Sequence, residues 1–122
     1  MSLKDSLYHI VSCESGKAVV RLDPSSPVYA AHFPGYPITP GVNLIEIATE
    51  LLSAGAADGS IDGCADGLLE LSEAVNVKFV SPVIPGEDTL LTYLFVPDGE
   101  LRWKVSVLCG ETLCAKMTLQ YR

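Results

Sequence analysis

The feature that most constrains this chain is the run Ala31-His32-Phe33-Pro34-Gly35-Tyr36-Pro37-Ile38-Thr39-Pro40-Gly41-Val42-Asn43-Leu44-Ile45-Glu46, in which closely spaced prolines give way to a stretch without any. Each proline fixes its own φ and pushes the preceding residue toward extended backbone, so the segment reads as a positioned loop. From Pro40 to about Ser53 the spacing is helical. Leu44, Ile47, Ala48, Leu51 and Leu52 share one face with Ile45 near its edge, and Asn43, Glu46, Glu50 and Ser53 share the other. Thr39 suits the N-cap, Pro40 the first helical position and Gly41 the second, where a backbone N–H with no side chain above it is a preformed place for negative charge. On the helical wheel alone, Glu46 is a solvated residue on the polar side of a half-buried helix. Gly55 is a stop signal, and the Gly-, Ala- and Asp-rich stretch to Gly67 marks a flexible connection.

The remainder reads as sheet. Tyr8 to Cys13 and Lys17 to Leu22 are rich in β-branched residues and flank Glu14-Ser15-Gly16, which predicts a hairpin. His9, with no partner carboxylate in sequence reach, is expected to be an ordinary strand histidine. Glu73 to Val80 alternates through Val75, Val77 and Phe79, and Ser81-Pro82-Val83-Ile84-Pro85-Gly86 makes a second proline-rich corner. Asp88 to Val96 is apolar at successive positions, as a central strand covered on both faces is. Asp98-Gly99 predicts a turn into Leu101 to Leu108, and Cys109-Gly110-Glu111 another. In the final strand Leu113, Ala115, Met117, Leu119 and Tyr121 share one face. A hairpin, one long helix and four further strands predict a single α+β domain over residues 1–122, with the helix across one face of an antiparallel sheet.

Composition narrows the function. Hydrophobic residues are 48% of the chain and charged residues 19%, an apolar surplus that predicts a subunit interface. A net charge of -7 argues against nucleic acid and against anionic membrane surfaces, both of which need clustered Lys and Arg. No secretory leader or spanning segment is legible, so a cytoplasmic location is expected. Cys13, Cys64, Cys109 and Cys114 form no Cys-x-x-Cys pair and predict reduced thiols. Asp58, Ser60, Asp62 and Gly63 imitate the start of a calcium loop, but Leu69 stands where its bidentate carboxylate belongs, so no metal is expected.

His32-Phe33-Pro34-Gly35, Pro37, Pro40-Gly41-Val42 and Glu46 resemble the motif of the β-hydroxyacyl-acyl-carrier-protein dehydratases. Val77-Lys78-Phe79 with Pro82-Val83-Ile84-Pro85-Gly86 resembles that family's second corner, and the resemblance runs from about Tyr8 to Tyr121. It implies a hotdog fold, a sheet wrapped around one central helix, in a homodimer or higher oligomer whose subunits share each active site. It also implies that His32 is the catalytic histidine, Glu46 the catalytic carboxylate and the Gly41 N–H the holder of the thioester oxygen, with Val42, Phe33 and Gly35 around the substrate. The implied substrate is a 3-hydroxyacyl thioester on an acyl carrier protein, or on coenzyme A, in fatty acid or polyketide-like synthesis, and no cofactor is implied.

Those residue types suit the chemistry. A histidine, with an ordinary pKa of about 6.5, can take the proton next to the carbonyl. Glu46 has to be protonated to serve as the acid, and burial between subunits is expected to raise its pKa. The chain departs from the family pattern at Ala31 (usually Gly), at Glu50 (usually Gln), and at Val80 and Ser81, where members often carry basic residues that attract the acidic carrier. The carrier is then repelled unless Lys78, Arg102, Lys104, Lys116 or Arg122 gather into a basic patch. A hotdog thioesterase, whose helix carboxylate activates water, and a non-catalytic acyl-binding or partner subunit are the alternative readings.

Overall fold

The computed structural model describes residues 5–14, 16–27, 39–54, 69–86 and 89–122. The elements are β1 (Tyr8–Glu14), β2 (Lys17–Leu22), α1 (Gly41–Ser53), β3 (Leu71–Phe79), β4 (Leu90–Pro97), β5 (Arg102–Cys109) and β6 (Thr112–Tyr121). The strands form one antiparallel six-stranded sheet in the order β1-β2-β4-β5-β6-β3. Glycines at positive φ make the turns where a side chain would be strained: Gly16 at 77° and Gly110 at 62°.

Period-2 alternation puts one row of side chains after another against the helix. Ala18 faces Tyr93, Tyr93 faces Val107 and Val107 faces Ala115, so a single buried row crosses four strands. Leu44, Ile47, Ala48, Leu51 and Leu52 of α1 close the same core. Three buried tyrosines then tie the sheet to the helix by hydrogen bonds. The Tyr93 hydroxyl donates to the Leu44 carbonyl at 2.9 Å, Tyr121 and Thr49 share a hydroxyl–hydroxyl bond at 2.9 Å, and Tyr8 donates to Glu50 at 2.9 Å. Burial and the neighbouring Glu50 carboxylate push the Tyr8 phenol far above its ordinary pKa, so it remains a donor.

Three expectations are corrected. β4 is not covered on both faces: it alternates, with Leu90, Leu94 and Val96 exposed, because the helix covers only the inner side of the sheet. β3 does not alternate cleanly, since its register with β6 shifts between Val75 and Lys78, where Asn76 takes φ 52°. His9 does have carboxylate partners, Asp23 at 3.0 Å and Asp5 at 3.4 Å, one brought close by the β1–β2 hairpin and one four residues back. Cys13, Cys109 and Cys114 are reduced; Cys64, Gly55 and the calcium-like segment lie outside the described residues. Among the described residues no helix is long and apolar enough to cross a membrane.

Candidate active site

The start of α1 is set one residue later than the proline pattern predicts. Pro40 takes the extended cap conformation, φ -61° and ψ 144°, so it is the N-cap and Gly41 the first helical residue. Thr39 is drawn away from the capping role. Its N–H donates to the Val83 carbonyl at 2.8 Å, which fastens the helix start to the second proline corner. That corner is held in turn by β6, through Val80 and Ser81 N–H groups donating to the Cys114 carbonyl at 2.8 and 3.2 Å.

Pro40 offers no side-chain acceptor, and its carbonyl is taken by the N–H groups of Asn43 and Leu44. Gly41 and Val42 therefore present N–H groups that lie ahead of the first intrahelical acceptor. No acidic side chain occupies the first turn. Neither an N-cap side chain nor an acidic residue of the first turn meets the positive end of the helix.

A cavity of about 310 Å³ lies between the helix start and the corner, lined by Thr39, Pro40, Gly41, Leu44 and residues 79–83. Most of its walls are apolar, which suits a thioester and the first carbons of an acyl chain. Phe79, at the end of β3, lays its ring over Gly41. A Cβ at Gly41 would stand 2.4 Å from the tip of that ring, so the absence of a side chain there is what lets the two distant motifs meet.

Glu46 is exposed in the single chain, as the helical wheel predicts, and lies one turn beyond Asn43. Asn43 departs from the wheel. It is buried, at 6% exposure, with its Nδ2 donating to Glu46 Oε2 over 3.5 Å and its Oδ1 without a partner among the described residues. An unpaired buried amide oxygen costs about 1–3 kcal/mol. Glu50, one turn further, accepts the Tyr8 hydroxyl and so has a structural engagement of its own. The structure thus gathers Gly41, Val42 and Glu46 onto the first two turns of one helix, while His32, Phe33 and Gly35 lie outside the described residues. Sequence reasoning missed Asn43 and the seating of Phe79. An amide inside the otherwise apolar run Val42-Asn43-Leu44-Ile45, three residues before Glu46, was the available signal.

On the opposite, outer face of the sheet, Lys78, Lys104 and Lys116 surround a second depression of about 300 Å³ with Asn76, Ser106 and Thr118. Lys78 is the cross-strand partner of Lys116, an arrangement that repulsion disfavours. Arg102 and Arg122 are instead paired with Asp98 and Glu70.

Comparison with known proteins gives a consistent result. Residues 10–117 match the family model described as ApeI-like, ApeI dehydratase. The 3-hydroxyacyl-(acyl-carrier-protein) dehydratase FabZ of Rhizobium rhizogenes is 35% identical over 83 residues, covering 68% of this chain and 52% of that protein, so the chain spans about half that relative's length. FabZ of Proteus mirabilis is 31% identical over 112 residues, covering 86% of this chain and 74% of that one. Among solved structures, a chain of the dehydratase heterocomplex ApeI:P from Xenorhabdus doucetiae has the same fold, with a TM-score of 0.66 at 20% identity over 97% of this chain and 98% of that one.

Proposed function

The chain belongs to the ApeI-like dehydratase family, and we propose that it removes water from 3-hydroxyacyl thioesters, delivered on an acyl carrier protein, to give trans-2-enoyl thioesters in fatty acid or polyketide-like synthesis. The observation that carries this reading is the sharing of one helix start by first-turn amides that no N-cap side chain caps, an apolar cavity and the Glu46 carboxyl group.

In the reaction His32 takes a proton from the carbon next to the carbonyl. The electron pair of that C–H bond forms the new double bond, and the bond to the 3-hydroxyl breaks as Glu46 protonates the departing oxygen. Negative charge that gathers on the thioester oxygen in the transition state is met by the Gly41 N–H and the positive end of α1. Both steps are proton transfers, so the chemistry requires no cofactor.

The subunits work in pairs in this reading, the histidine of one protomer acting with the carboxylate of its partner. Support comes from what the single chain leaves open: Val42, Phe79 and Val80 are more than half exposed around the helix start, and β3 is an edge strand of the sheet among the described residues. A homodimer and a mixed pair of related subunits both fit that surface, and sedimentation of the purified chain distinguishes them. Delivery by a carrier is supported by the three outer-face lysines, which have no ion-pair partner among the described residues in a chain of net charge -7. Replacing Lys104 and Lys116 by Glu is expected to raise KM for a carrier-bound substrate and leave KM for a short free thioester unchanged.

The test is turnover of a series of 3-hydroxyacyl thioesters by the purified protein, followed by the conjugated enoyl product and, in parallel, by free thiol. Enoyl formation abolished by His32→Ala and by Glu46→Gln in folded protein is the expected result. Thiol without enoyl product identifies a thioesterase instead, and acyl binding with neither product a non-catalytic subunit.

A further inference from the structure

Asn43 is buried where nothing about helix formation calls for it. Asparagine is a poor interior helix former, and its usual service at a helix start is to cap a backbone N–H with its side-chain oxygen. Here that oxygen caps nothing. Oδ1 is enclosed and without a partner among the described residues, while Nδ2 is turned toward the Glu46 carboxyl group at 3.5 Å. Leucine, with the same branching and somewhat larger volume, would continue the apolar run and leave no orphaned atom. The amide is therefore held against its own structural cost, and the group it addresses is Glu46.

We propose that Asn43 is a positioning residue for Glu46, fixing one carboxyl oxygen so that the other faces the substrate hydroxyl. This rests on the reading of Glu46 as the catalytic carboxylate. A side-chain amide suits the task because its donor serves Glu46 in both of its states. Before the transfer Glu46 is a carboxylic acid whose proton lies on the oxygen facing the substrate, and Nδ2–H donates to the other, carbonyl-like oxygen; once the proton has gone to the departing hydroxyl, that same oxygen of the carboxylate still accepts from Nδ2–H. Glu50, also on α1, does not take this role from Glu46, because the Tyr8 hydroxyl from β1 engages it.

The experiment compares Asn43→Leu, Asn43→Gln, Glu46→Gln and the double variant Asn43→Leu/Glu46→Gln, all in single turnover at high enzyme concentration so that residual reaction is counted. Asn43→Leu is expected to lower kcat about tenfold with KM unchanged, and to leave the melting temperature equal or higher. Asn43→Gln, which keeps an amide on a longer arm, recovers part of the loss. In the Glu46→Gln background Asn43→Leu has no further effect. An unchanged kcat in Asn43→Leu, a kcat that falls only in step with stability, or an equal loss in the Glu46→Gln background overturns the proposal while Glu46 stays catalytic. Full turnover by Glu46→Gln alone overturns both readings together.

Discussion

Two carboxylates of this protein each stand beside a nitrogen-bearing side chain, and the fold treats them in opposite ways. Asp23 holds His9 at 3.0 Å and also takes the Ser25 hydroxyl and N–H, and these bonds, Ser25 first and His9 next, hold its pKa down to about 2. Among the described residues Glu46 has a single long contact, to an amide that is itself half-satisfied. Taken as a pair in isolation, His9 and Asp23 look more like acid–base machinery. They sit on β1, at one edge of the sheet, whereas the cavity lies beside β3 at the other. Their bonds are used up in clipping β1 to the turn that follows β2. In the proposed reading, chemistry is sought where bonding capacity is unspent among the described residues: an orphaned oxygen and an exposed carboxylate next to an apolar hollow.

The sharpest way to break that contrast is to neutralise both sites. Glu46→Gln is expected to lower kcat by 100-fold or more, on the order of what an acid–base group contributes, with no loss of thermal stability because the side chain is exposed. His9→Ala should leave kcat within about twofold while slightly lowering the melting temperature, as partly exposed ion pairs contribute little. Steady-state kinetics with melting curves on both variants decides the matter, and a reversed pattern would move the active site to β1.

A smaller effect is expected at Gly41. A methyl group there has to displace the exposed Phe79 ring, which stands 2.4 Å from the added carbon. Gly41→Ala should therefore lower kcat/KM roughly tenfold, by the misplacement of a cavity wall and not by unfolding. A crystal structure of the variant should show the ring shifted, and an unmoved ring with full activity would remove Gly41 from the site.

Tyr8→Phe probes the satisfied side of the contrast within α1 itself. It strips Glu50 of the hydroxyl it accepts at 2.9 Å, and a loss of about 1–2 kcal/mol is expected in urea unfolding, with turnover retained. A large loss of turnover would mean that Glu50 belongs to the machinery.

The least effect concerns Asp23. Its folded pKa, about 2, is depressed below the ordinary carboxylate value of about 3.9. The link therefore contributes stability above pH 4 and loses it as the pH falls through the folded pKa. Asp23→Asn should accordingly be less stable than the parent at neutral pH, with the difference shrinking between about pH 4 and pH 2. Melting curves across that window test it.

Much of the architecture was legible residue by residue. Leu44, Ile47, Ala48, Leu51 and Leu52 announce a helix, and the alternation from Leu113 to Tyr121 announces a strand, because both patterns arise within a few residues of backbone geometry. The same local logic failed at Asn43, which the wheel counted as polar and outward. A wheel sorts residues by angle, but depth depends on what lies above them. β4 failed for the complementary reason. Its largely apolar sequence cannot say that the helix covers only one of its faces, or that Leu90, Leu94 and Val96 remain uncovered.

What the amino-acid order determined by itself, then, is the set of elements, the turns that join them and the residue types able to carry proton transfer. Those depend on short-range sterics and on periodicity, which every segment carries within itself. Tertiary structure alone decided that Phe79 lies over Gly41, that Thr39 leaves its cap to bond Val83, that three of the chain's lysines share one depression and that Asn43 is enclosed beside Glu46. Those facts join residues far apart in the chain or fix how deeply one is covered, and both are set by packing against surfaces that no local pattern describes.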